Sequence, residues 1–263
     1  MLGKLFKHEF KATSRLLLPL YSFLLILAII NRIFIEIDLF DKAGFFRVIN
    51  TFTLSTFIIS IIVILIATQL LVIYRFYKNL TTNEGYLMFT LPVKTHELIN
   101  SKLIVLVIWT ILSFLSAIIA LSITFLSKEG LDIIIDFIKT TYNILKMTFD
   151  AEITILIIET IILLFTSIIF KAISIYLAIA IGQAFTKNKI LSSIAAFIGI
   201  NIIIQFLTSF SILAISFIFD NSVESINSLP NILLPASLII SIILGGVQYY
   251  LTNYFLSKKL NLE

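Results

Sequence analysis

Six stretches of the chain are apolar almost without interruption: residues 16–34, 52–73, 103–126, 153–181, 190–215 and 232–256. A bilayer core about 30 Å thick takes about 20 mostly apolar residues per helix, and each stretch is long enough to cross one. The interruptions carry the glycines, prolines and charges expected between helices. Strands of a membrane barrel would be about ten residues long and strictly alternating, which this pattern is not. The many β-branched residues lower helix propensity in water, but in lipid the backbone must satisfy its own hydrogen bonds, and helix results. The pattern predicts an all-α polytopic membrane protein whose residues 1–263 form a single transmembrane domain with six spans.

Two polar stretches have helical periodicity of their own. Near the start, Leu2, Leu5, Phe6 and Phe10 recur at helical spacing while Lys4, Lys7, His8, Lys11 and Arg15 fall on the other side. That pattern predicts an amphipathic helix lying in the membrane interface before the first span; the plainer alternative is flanking positive charge without a defined helix. A signal peptide is excluded as a reading of the first span, because its apolar run is too long and no small-residue cleavage site follows. In residues 127–152, Asp132, Asp136, Lys139, Asn143, Lys146 and Asp150 repeat every three or four residues with Ile133, Phe137, Ile138 and Met147 between them. This predicts a second amphipathic helix, resting on the outer surface or packed against the spans.

The chain is 59% hydrophobic and 13% charged, against about a quarter charged in a soluble domain. It contains no cysteine, which excludes disulfides and thiolate zinc sites. A net charge of +4 does not point to nucleic acid, because the basic residues flank the spans. Arranged by loop, twelve bases fall on one side: Lys4, Lys7, Lys11, Arg15, Arg75, Lys78, Lys94, Lys102, Lys187, Lys189, Lys258 and Lys259. Arg32, Lys42, Arg47, Lys128, Lys139 and Lys146 fall on the other, together with most of the acids. The excess places both termini and residues 74–102 in the cytoplasm.

Motifs for internal chemistry are missing. No G-x-x-x-x-G-K-[ST] phosphate loop occurs, and no polar segment is long enough for a nucleotide domain. His96-Glu97-Leu98-Ile99-Asn100 has Asn100 where a zinc-protease helix needs its second histidine. There is no G-x-S-x-G elbow and no convincing internal duplication. No catalytic, cofactor-binding or metal-binding residue is assigned, so an enzyme is not expected. Within the spans, Lys171 and Glu159 are the candidate intramembrane functional residues. Both lie on the fourth span, about 18 Å apart along one helix and too far to pair directly. A lysine at mid-bilayer costs about 2.5–3.5 kcal/mol, so Lys171 either faces the bundle, water or a partner, or snorkels to the interface. Gln69, Gln183, Asn201, Gln205 and Gln248 either line a route or hydrogen-bond helices together.

The charged break at residues 74–102 contains Asn83-Glu84-Gly85-Tyr86-Leu87-Met88-Phe89-Thr90-Leu91-Pro92, large apolar residues set among turn residues. Apolar anchors flanked by polar groups are how a short helix holds a partner's groove, whereas a solvated tether has no use for them. Pro92 disfavours helix at Leu91, so a helix from Asn83 should end near Thr90. A second should begin with Thr95 as N-cap and Glu97 in its first turn, and run through Lys102 into the third span.

The run from Glu84 to Val93, followed by Glu97-Leu98 and by Lys102 opening a span, is similar to the cytoplasmic segment of ABC-2 type transporter permeases. The start Lys7-His8-Glu9-Phe10-Lys11, the six spans and the basic end Lys258-Lys259-Leu260-Asn261-Leu262 resemble the same family, so the likeness covers the whole chain. The resemblance implies a permease subunit of an ATP-binding cassette exporter in the bacterial cell membrane. It would form the translocation path as a homo- or heterodimer, with ATP and Mg bound by a separate ATPase subunit. The segment between spans two and three would be a coupling helix contacting that ATPase through Glu84, Gly85, Tyr86, Leu87, Met88, Phe89, Leu91, Pro92 and Glu97, with the amphipathic N-terminal helix bordering the contact. The outer segment near residues 216–235 would re-enter the membrane. Two other readings stay open: a secondary transporter coupling an ion through Lys171 and Glu159, and a non-transporting membrane scaffold or immunity protein.

Overall fold

The computed structural model describes residues 2–37, 44–81, 83–90, 92–125, 128–148, 153–185, 188–218 and 223–258. Every regular element among them is a helix: α1 (Leu2–Glu36), α2 (Phe45–Thr81), α3 (Asn83–Thr90), α4 (Thr95–Phe125), α5 (Lys128–Thr148), α6 (Ile153–Gly182), α7 (Lys189–Ile218) and α8 (Val223–Lys258). Six of them, all but α3 and α5, are long and apolar enough to cross a membrane. The chain therefore has the make-up of a multi-pass membrane protein.

The helices outrun the apolar stretches that define them. The amphipathic start is not an element of its own, because α1 runs unbroken from Leu2 through Pro19 to Glu36. Lys4, Lys7, His8, Lys11 and Arg15 are exposed along its first turns. At the other end of the chain α7 continues to Ile218 and α8 starts at Val223, passing through Pro230 and Pro235 as one helix. The expected re-entry near residues 216–235 therefore has no separate element among the described residues.

The chain divides into two units, residues 1–75 with 100–137 and residues 76–99 with 138–263. In the first, a single stripe of α1 is buried: Glu9, Thr13, Leu17, Tyr21, Leu24, Ala28 and Asn31, spaced by three or four residues as one helix face requires. The buried stripe of α4 is rich in small residues, Ser113, Ser116, Ala117 and Ala120, which let neighbouring backbones approach where lipid gives no hydrophobic drive to association. Contacts fix the directions of the helices. Tyr21 Oη lies 3.0 Å from Thr68 Oγ1 and Asn31 Nδ2 donates to the Thr53 carbonyl, so α1 and α2 are antiparallel. The Trp109 indole donates to Thr13 and Thr124 donates to the Ala28 carbonyl, so α1 and α4 are parallel. Gln69 donates to Thr110 at 2.7 Å, tying α2 to α4.

In the second unit α6 packs against both α7 and α8. Its buried run lies at the end nearest Gly182, from Ala172 through Tyr176 to Ala180. Ser174 donates to Gln248 of α8 at 2.9 Å, and the Tyr176 ring stacks on Phe76 with centroids 3.6 Å apart. The turn into α7 is tight. A Cβ on Gly182 would lie 2.6 Å from the Ser193 backbone nitrogen and 2.7 Å from its Cα. Because the obstacle is backbone, Gly182→Ala is expected to destabilise by roughly 1–3 kcal/mol, outweighing the helix propensity it gains. A lowered thermal midpoint in detergent is the check, and a variant as stable as the parent contradicts so close a packing.

The stretch 128–148 forms α5, with Phe137, Ile138, Ile144 and Met147 exposed on the chain alone.

Candidate functional site

The most unusual feature of the first unit is a buried charge cluster where the chain enters and leaves the 76–99 segment. Glu9 is 4% exposed and Lys102 3%. The Lys102 ammonium donates to Glu9 Oε1 at 2.7 Å, and the Arg75 Nε donates to Glu9 Oε2 at 3.2 Å. One carboxylate thus holds a cation on each oxygen, and the two cations come from positions 66 and 93 residues away in sequence. Arg75 is the last residue of the first unit before the break, and Lys102 follows just after the chain returns at Asn100. Glu9 is therefore a cross-tie between the two arms of the break. Glu9 precedes the apolar stretch of α1 by seven residues, about 10 Å of helix, which puts the cluster at the membrane boundary rather than mid-bilayer.

An aromatic layer backs this cluster on the bilayer side. Phe10 stacks on Trp109, centroids 4.9 Å apart, and Tyr21 flanks the same indole at 5.9 Å. The indole Nε1 donates to Thr13 Oγ1 at 2.7 Å, and the Thr13 hydroxyl also reaches the Glu9 carbonyl. Trp109→Phe keeps most of the apolar contact but removes the donor. It is expected to cost about 1–2 kcal/mol, read as a lower melting midpoint, whereas an unchanged midpoint contradicts a structural role for that bond.

The expected coupling residues fall on α3 and the turn after it. Leu87 is 69% exposed, Met88 is half-buried, Gly85 is buried and Pro92 is exposed. Leu91 lies outside the described residues, as do the side chains of Glu84, Tyr86 and Phe89. After the bend at Pro92 and Val93, Glu97 Oε2 accepts from the backbone nitrogen of Lys94 at 3.3 Å, while the Lys94 carbonyl accepts from Leu98. Lys94 is therefore the N-cap of α4 and Thr95 its first helical residue, a correction to the expected cap at Thr95. The cause is Glu97, which at the third helical position reaches back to the cap as in a capping box.

Lys171 and Glu159 are not brought together. Lys171 is exposed, with its ammonium 5.5 Å from the centroid of the Phe197 ring on α7. Glu159 is half-buried, and its Oε2 is enclosed without a hydrogen-bond partner among the described residues. Of the intramembrane amides, Gln69 and Gln248 bridge helices, whereas Asn201 donates to its own helix at Phe197. Among the described residues no group of three His, Asp or Glu is placed to hold a metal ion.

The Glu9 cluster escaped the sequence reading, which divided the α1 start into an apolar face and a basic face and assigned Glu9 to neither. The one trace in the sequence is that Glu9, Thr13, Leu17 and Tyr21 repeat every four residues, which marks one face of a helix but not the partners of Glu9. Comparisons with known protein families, with curated proteins and with solved structures found no match.

Proposed function

We propose that this chain is the membrane subunit of an ATP-driven exporter. It works as a dimer in a bacterial cell membrane, with both termini and α3 on the cytoplasmic side and a separate ATPase subunit carrying ATP and Mg. The observation that carries the reading is α3 itself: an eight-residue helix with an exposed leucine, set between two span helices whose charged ends are tied by one buried carboxylate. The resemblance of residues 84–93 to the permease coupling segment supports the same reading. So does the absence from the sequence of any phosphate loop, which leaves energy to be supplied from outside the chain. A push on α3 would reach α2 and α4 through their ends, and the Glu9 tie would make the two arms and α1 move as one body. Closure of the ATPases would then tilt the spans between inward-facing and outward-facing states.

The test is reconstitution. The chain is expected to co-purify with an ATPase subunit and to move cargo only when ATP is present. Transport in ATP-free vesicles under an ion gradient contradicts the proposal and favours an ion-coupled carrier.

A further inference from the structure

Gln69 of α2 and Ser113 of α4 line a pocket of about 330 Å³ together with Leu65, Ile66, Leu70 and Phe114. Ile66, Leu70 and Phe114 are exposed, so in a membrane the mouth of the pocket meets lipid rather than water. Its depth agrees with that. Gln69 lies four residues inside the end of the second apolar stretch, about 6 Å of helix. Its hydrogen-bond partner Thr110 lies seven residues inside the start of the third, about 10 Å. A pocket at that level fills from the bilayer, and its volume is at the lower end of those that hold small ligands.

The lining is apolar apart from the Gln69 carboxamide and the Ser113 hydroxyl. A glutamine amide has two N–H donors and an oxygen with two lone pairs. One N–H of Gln69 donates to Thr110 Oγ1 at 2.7 Å. The Thr110 hydroxyl donates to the Leu106 carbonyl and the Ser113 hydroxyl to the Thr110 carbonyl, so both protons are committed. The second N–H and the oxygen of Gln69 have no partner among the described residues. Bridging α2 to α4 thus uses only part of this amide, and the remainder sits where an unmet donor or acceptor is costly.

The same lining selects what can meet it. None of the six residues is charged, so an ion brought here would lose its water without gaining a counter-charge. An ester can only accept, and would satisfy the spare N–H while leaving the oxygen. A head that is uncharged and both donates and accepts satisfies both atoms.

We propose that the pocket between α2 and α4 binds an uncharged, membrane-dissolved amphiphile with a carboxamide head. The ligand N–H donates to the Gln69 oxygen, the spare Gln69 N–H donates to the ligand carbonyl, and the apolar chain leaves past Ile66, Leu70 and Phe114 into lipid. The site does not depend on the exporter reading.

The experiment is native mass spectrometry of the purified full chain, titrated with oleamide or with methyl oleate, which has the same chain and no N–H. The parent is expected to retain oleamide about five-fold better, the ratio that one net hydrogen bond supports. Gln69→Leu removes the preference. Leu70→Trp adds bulk at the mouth and lowers oleamide retention while leaving the bond between Gln69 and Thr110 in place. Asn201→Leu, which changes an intramembrane amide of the other unit, leaves the preference intact. Equal retention of the two compounds by the parent overturns the proposal. So does a preference that survives Gln69→Leu, an equal loss in Asn201→Leu, or stronger retention of ionised oleate than of oleamide. Parent-like oleamide retention in Leu70→Trp also overturns it, whether or not a dimer is lost, because the ligand then sits elsewhere.

Discussion

Glu9→Ala is expected to lower the stability of the chain by about 3–5 kcal/mol, the usual cost of removing one member of a buried ion pair. The reason is electrostatic rather than steric. Lys102 is almost fully buried and Arg75 is about four-fifths buried, and both now direct charge at one carboxylate. Removing it leaves two like charges facing each other in a site that water reaches poorly. Glu9→Gln should fare little better, because an amide keeps one acceptor but no charge. The exchange Glu9→Lys with Lys102→Glu keeps the pair between positions 9 and 102 but sets the new lysine at position 9 against Arg75, so it should recover only part of the loss. Thermal melts of the purified chain decide the matter. If Glu9→Ala melts within about 1 °C of the parent, the cluster is not the tie described here.

Leu87→Asp should have a large effect of the opposite kind, on function with no effect on folding. Leu87 is 69% exposed, so the chain alone should fold as the parent does, within about 0.5 kcal/mol. Under the exporter reading, Leu87 is the apolar anchor in the ATPase groove, and a carboxylate placed there must be desolvated against apolar surface. A central anchor is worth about 2 kcal/mol or more, so partner affinity should fall at least about 30-fold and ATP-driven transport should fail with it. Affinity measured for the detergent-purified chain against its ATPase gives the number. Unchanged affinity places the docking surface elsewhere.

The two predictions draw on features of very different legibility. The span helices follow from apolar runs that only a bilayer explains, and the helix over Asn83–Thr90 follows from a proline that ends it and an asparagine that opens it. Helix ends were less legible. The cap of α4 moved from Thr95 to Lys94 because Glu97 accepts the reciprocal hydrogen bond, and any backbone N–H can donate it, whatever the side chain of its residue. The unbroken α1 was unreadable for a related reason. Amphipathic and apolar stretches abut without a glycine between them, and nothing in the periodicity says whether the axis bends.

The Glu9 cluster was illegible for a physical reason. Periodicity detects faces by averaging hydrophobicity, and a buried carboxylate counts against burial until its partners are known. Those partners lie on two other helices, and neither Arg75 nor Lys102 differs in sequence from an ordinary cation at a membrane boundary. Lys171 was the reverse case. It was conspicuous in sequence, but its setting over Phe197 needed the packing of α6 against α7.

The central claim is that α3 receives work from an ATPase, and it can be tested at one residue. A photo-crosslinking amino acid placed at Leu87 in the full chain, illuminated in its native membrane, should yield a covalent adduct with an ATP-hydrolysing protein, and the adduct should change in yield when nucleotide is added. A chain that still transports its cargo while position 87 crosslinks only to lipid, or to no nucleotide-binding protein, contradicts the account.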